Sequence, residues 1–138
     1  MYDSYGFNQL KHFKVKRFSN EAKKDKVSDE LLFDTLSDFL SMETSDQQKF
    51  SLGAGLYKLR LAAKEGKGKS GGARSILAFK NGSRVVWLHL FSKNEKGNIT
   101  TSELKKLKFL SKILLDIPDD EVNKLIKLGE LCEVNKNV

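Results

Sequence analysis

The sequence predicts an α+β fold in which helices at both ends pack on a small, mainly antiparallel β-sheet. Three observations carry this. Leu56–Ala62, Ala73–Lys80 and Ser83–Phe91 are successive strand-like runs. Apolar stripes at helical spacing come before them, over Asp29–Met42, and after them, beyond Thr101. Strands grouped together, rather than alternating with helices, point away from a parallel α/β sheet.

Taken in order, residues 1–12 read as a loose N-terminus. Phe13–Phe18 sets Phe13 and Val15 against Lys14 and Lys16, the alternation of a half-buried strand. Ser19 or Asn20 can cap a short helical turn through EAKKDK. Ser28 is a second N-cap, and Asp29 and Glu30 behind it complement the positive end of a helix dipole. Leu31, Leu32, Leu36, Phe39 and Leu40 then line one face of that helix, with Asp34 and Asp38 opposite. The polar stretch Glu43–Gly53 reads as a connector.

In the first strand of the central group, Lys58 and Arg60 alternate with apolar Leu59 and Leu61. Residues 64–72, KEGKGKSGG, hold four glycines and three lysines and form a basic loop. Asn81-Gly82 marks a hairpin, because Asn and Gly tolerate the positive φ of a type I′ turn. Val85, Val86, Trp87, Leu88 and Leu90 leave little polar alternation, which places this strand at the sheet's centre. Thr100 or Thr101 caps the next helix and Glu103 completes a capping box. Leu104, Leu107, Phe109, Leu110, Leu114 and Leu115 form its apolar stripe, and Lys105, Lys106, Lys108 and Lys112 coat the rest. Pro118 opens a last short helix with Gly129 near its end, so 118–131 reads as a helical extension of a single domain spanning 1–138.

The 138 residues carry a formal charge of +7, with a sequence pI near 9.4. The charge is concentrated. Residues 55–112 hold 14 Lys and Arg against three Glu, a local excess of +11, while the remainder carries −4. Such a patch favours a polyanionic partner. One cysteine, Cys132, excludes an internal disulfide and fits a reducing cytoplasm. No apolar run is long enough to span a bilayer, and no membrane partner is expected. With two histidines and one cysteine, neither a metal nor a cofactor is expected.

The glycines of the basic loop let backbone amides approach phosphate oxygens, and Lys67 and Lys69 add charge. It is not a Walker A loop, because GKGKS is followed by GGARS and a strand instead of a helix. The same residues also suit a plain solvated loop. Lys58 and Arg60 share one strand face and Arg74 opens the neighbouring strand, so they can converge on a phosphate or simply face water. Lys93 and Lys96 sit where the last strand ends, near Glu95, the one local carboxylate. His89 reads as a sheet residue with a hydrogen-bond partner, and Trp87 as core. Tyr57 can stack on a base or pack within the sheet.

GLYKLRLA, then GKGKSGGARSILAF, a hairpin, LFSKNEKGNI and a Lys/Leu-rich helix resemble, in that order, the RelE/ParE superfamily of bacterial type II toxins. The likeness runs over residues 55–115 and is nearest the HigB-like branch. It implies a RelE-like fold and a ribosome-dependent mRNA endonuclease that works without metal in the ribosomal A site. The ribose 2′-hydroxyl attacks the adjacent phosphate, so a base, an acid and stabilisation of a phosphorane are required. By resemblance, Lys58 and Arg60 polarise the phosphate, Arg74 stabilises the phosphorane, and Lys93, Asn94 and Lys96 lie near the leaving oxygen. Lys64, Lys67, Lys69, Tyr57 and Glu95 would contact mRNA or ribosomal RNA. A cognate antitoxin, helix-turn-helix in type, is the implied protein partner. The last segment departs from members with an Arg pair and a Tyr there. The same fold includes a branch that inhibits gyrase and cuts no RNA, which keeps a non-catalytic alternative open.

Overall fold

A computed structural model describes residues 10–61, 73–80, 83–92 and 99–135. Among these, six strands form one sheet in the order β2-β3-β4-β5-β1-β6. They are β1 Lys11–Val15, β2 Ser51–Gly53, β3 Leu56–Leu61, β4 Ala73–Lys80, β5 Arg84–Ser92 and β6 Leu131–Glu133. Only the β1–β5 pairing is parallel among the described residues. The helices are α1 Lys16–Asp25, α2 Asp29–Leu40, the short α3 Thr44–Gln47, α4 Thr101–Asp116 and α5 Asp119–Lys127. This is the mixed, mainly antiparallel architecture expected from the sequence.

Alternation along the strands gives the sheet two buried faces. On the first, Leu59, Leu61, Leu77, Phe79, Trp87 and Leu90 pack with Phe18 and Ala22 of α1 and Leu32, Leu36 and Phe39 of α2. On the second, Leu56, Ile76, Ala78, Val86, Leu88 and Phe91 pack with Leu104, Leu107 and Leu114 of α4 and Val122 of α5. The caps follow the expected chemistry. Ser28 Oγ accepts from the Leu31 amide at 3.1 Å. Thr100 Oγ1 accepts from the Glu103 amide at 3.0 Å, and Glu103 Oε1 accepts in return from the Thr100 amide at 3.0 Å.

Several elements differ from the sequence reading. β1 starts at Lys11, inside the stretch read as loose, and ends at Val15. The alternation predicts a strand through Phe18, but the chain turns helical at Lys16. Phe18 and Ala22, one helical turn apart, are 0% and 2% exposed, and burying both requires a helix. The presumed connector contains α3, a 3₁₀ turn at Gln48–Phe50 and the edge strand β2. After α5, Gly129 adopts φ +81° and the chain returns as β6 beside β1. The Asn81-Gly82 turn lies outside the described residues, but Lys80 pairs with Arg84 across it.

One end of the sheet is locked beneath α4. Ser111 Oγ donates to the Ala54 carbonyl at 2.8 Å. Gly55 sits at φ +80°, a conformation that disfavours any side chain, and a Cβ there would also displace the tip of Leu115, 2.9 Å away. Arg84, only 6% exposed, donates from Nη1 to the carbonyls of Leu114 at 2.8 Å and Ile117 at 2.7 Å. Its Nη2 donates to Asp119 Oδ1 at 2.8 Å. One guanidinium thereby satisfies carbonyls at the end of α4 and anchors the first turn of α5. The Asp119 carboxyl is held below its ordinary pKa, first by its hydrogen bond to Lys11, then by the charge of Lys11 and its bond to Arg84.

Candidate nucleic-acid interface

The opposite end of the same strands carries the basic residues singled out in the sequence. In the β3–β4 ladder Lys58 lies opposite Ile76, and Arg60 lies directly opposite Arg74. In the β4–β5 ladder Ile76 faces His89 and Arg74 faces Phe91. Cross-strand partners point to the same side, so two rows result: Lys58–Ile76–His89 and Arg60–Arg74–Phe91. Both continue the second face, beyond the Leu56–Ala78–Val86 row. Rows on one face are spaced about 7 Å apart and strands about 4.8 Å, so Lys58, Arg60 and Arg74 surround a patch of phosphodiester size.

Arg60 is exposed, and Lys58 and Arg74 are half-buried. Ile76, fully buried, forms an apolar floor between Lys58 and His89. The Arg60–Arg74 juxtaposition is informative. Like charges directly opposite one another weaken a sheet. An anion bridging the two would relieve their repulsion, and each Arg presents a fork matched to phosphate oxygens.

His89 reaches this face through a bulge. The β4–β5 register shifts between Ile76 and Leu77, so Leu88 is an extra residue in β5. Without it, alternation would send His89 to the first face. With it, His89 is 8% exposed and its ring stands 5.2 Å from that of Phe91. No sequence signal marks this shift, because β5 is apolar on both faces.

Tyr57 is not on the basic face. It lies beside the first core, its ring 5.1 Å from Phe39 and 6.1 Å from Phe79. The alternation that separates Tyr57 and Leu59 from Lys58 and Arg60 already contained this answer. Arg84, counted in the basic segment, is a buried structural group, and Lys80 pairs with Asp116 at 3.5 Å. Lys64, Lys67, Lys69, Lys93, Asn94, Glu95 and Lys96 lie outside the described residues. Their flanking positions Leu61, Ala73 and Ser92 are paired in one row, next to Arg60 and Arg74.

His12, assigned from the sequence to a loose terminus, is instead buried against Phe33 and Trp87. Its Nε2 accepts from the Trp87 indole N–H at 2.7 Å. Burial lowers its pKa from 6.5 to about 4, with opposing smaller influences from Asp29 and Lys14. It is therefore neutral at pH 7 and belongs to the first core. Among the described residues, no group of three His, Cys, Asp or Glu side chains is arranged to hold a metal ion. No helix among them is long and apolar enough to cross a membrane.

The chain is thus an α+β domain in which neighbouring strands set Arg60 opposite Arg74. The family model described as the RelE toxin of the RelE/RelB toxin–antitoxin system matches residues 10–134. The chain belongs to this RelE toxin family. No curated protein and no solved structure matches it.

Proposed function

We propose that this toxin is a HigB-like, ribosome-dependent mRNA endonuclease whose reaction proceeds by attack of a ribose 2′-hydroxyl on the adjacent phosphate. The observation that carries the reading is the Arg60–Arg74 cross-strand pair, with Lys58 in the next row of the same face. As the phosphorane forms, negative charge builds on its equatorial oxygens. Two fixed guanidiniums interact more strongly with that dianion than with the monoanionic ground state, which is the condition for catalysis. Lys58 adds a point charge on the same phosphate. Lys93, Asn94 and Lys96 are assigned to the leaving-oxygen side, with Lys64, Lys67, Lys69 and Glu95 on RNA or the ribosome. Family membership supports a cognate antitoxin; a helix-turn-helix antitoxin and a cytoplasmic, A-site setting complete the proposal.

The test is a short pulse of expression followed by mapping of transcript 5′ ends. Cuts within translated messages are expected. Arg74→Ala should reduce them by about 10²-fold, the usual effect of removing one transition-state donor, while the protein remains folded. Growth arrest with intact transcripts would instead assign the chain to the non-cleaving, gyrase-inhibiting side of the superfamily.

A further inference from the structure

The outward side of α4 has no role in the site above. Lys105, Lys106, Phe109, Lys112 and Ile113 are all exposed there, at helical spacing. Phe109 is 68% exposed and Ile113 40%, although the sequence pattern assigned Phe109 to the buried stripe. The helix is rotated so that Ser111 and Leu114 face inward, which leaves Phe109 and Ile113 adjacent, one turn apart, on the surface. A single exposed apolar residue needs no explanation, but a Phe–Ile pair ringed by three lysines is a patterned surface. Lys108 is not part of it, since its Nζ lies 3.4 Å from where a Cβ on Gly53 would sit. Of the two acids in α4, Asp116 is paired with Lys80 and Glu103 closes the capping box at Thr100.

We infer that this ridge is the docking surface for an acidic amphipathic helix of the cognate antitoxin. Apolar side chains of that helix cover Phe109 and Ile113, and flanking Asp or Glu residues meet Lys105, Lys106 and Lys112. The inference rests on membership of a toxin–antitoxin family and not on the nuclease reading. Charge complementarity selects an acidic partner, and the apolar pair selects polypeptide over RNA. A phosphate backbone would use the lysines and Phe109 could stack on a base, but Ile113 offers nothing to a nucleic acid. α4 is suited to present such a ridge, being capped at Thr100 and pinned through Ser111.

The test uses the purified full-length toxin, its cognate antitoxin and a single-stranded RNA oligonucleotide as separate titrants in calorimetry. The double variant Phe109→Ser/Ile113→Ser should weaken antitoxin binding by roughly tenfold or more, as loss of interface anchors does. The triple variant Lys105→Glu/Lys106→Glu/Lys112→Glu should weaken it too, with a smaller effect at high salt. Phe109→Ser/Ile113→Ser should leave both RNA affinity and mRNA cleavage unchanged. Antitoxin affinity within about twofold of wild type in both variants would overturn the inference. Loss of RNA affinity in Phe109→Ser/Ile113→Ser with antitoxin binding intact would overturn it in favour of an RNA surface. Since the substituted side chains are exposed, unchanged unfolding temperatures confirm that binding, and not folding, is being read.

Discussion

The two ends of the β3–β5 sheet use arginine in opposite ways. At one end Arg84 is buried, and its guanidinium is bound by two backbone carbonyls and the Asp119 carboxylate. At the other, Arg60 and Arg74 confront each other across neighbouring strands. The first arrangement holds α4 and α5 on the sheet. The second places two like charges on adjacent strands of one face. The same residue type thus serves as a buried anchor at one end and stands on a partly exposed sheet face at the other.

This contrast is sharpened first by Arg84→Ala. It should lower stability by about 3–4 kcal/mol, because the Leu114 and Ile117 carbonyls lose their donor and a buried site is emptied. The urea midpoint reports the loss.

A second substitution sits at the buried histidine. Because the folded-state pKa of His12 is lowered from 6.5 to about 4, the unfolded chain binds a proton in this window that the folded chain does not. The contribution is complete above pH 6.5 and is lost as pH falls toward 4, by up to about 3 kcal/mol. Unfolding measured across this range should show that slope in wild type and a flatter one in His12→Gln.

Next is Gly55→Ala, at the locked end. A left-handed φ and a contact of 2.9 Å with Leu115 together should destabilise by about 1–3 kcal/mol, again read in urea. RNA binding at the open end should not change.

The smallest stability effect belongs to Arg74. Replacing it removes a like-charge neighbour of Arg60, so stability should stay within about 0.5 kcal/mol of wild type or rise slightly.

The long periodic elements were legible because one principle governs each. The stripe from Leu32 to Leu40 could be buried only as a helix, and Ser28 and Thr100 announced their caps by chemistry alone. That Lys58 and Arg60 share a sheet face was legible because β alternation fixes the side, and the register adds Arg74 to it. What escaped depended on tertiary context. The second half of α1 was read as a helical turn, but its charged and polar first turn betrays itself only by Phe18 and Ala22. β2 and β6 are three residues each, too short for a period to show. His12 became core through Trp87, 75 residues away. Phe109 matched the apolar period, but α4 turns Ser111 and Leu114 inward, toward Ala54 and the second core. Tyr57 is a different kind of miss, since its alternation with Lys58 stood in the sequence.

The most direct measurement is thermal unfolding of wild type and Arg74→Gln at low salt, each with and without single-stranded RNA. If the opposed guanidiniums await a phosphate, RNA should raise the wild-type midpoint, while Arg74→Gln should unfold at or above the wild-type temperature without RNA and gain much less from it. An Arg74→Gln protein that melts earlier than wild type, yet is protected equally by RNA, would mean that the pair serves the fold and the phosphate binds elsewhere.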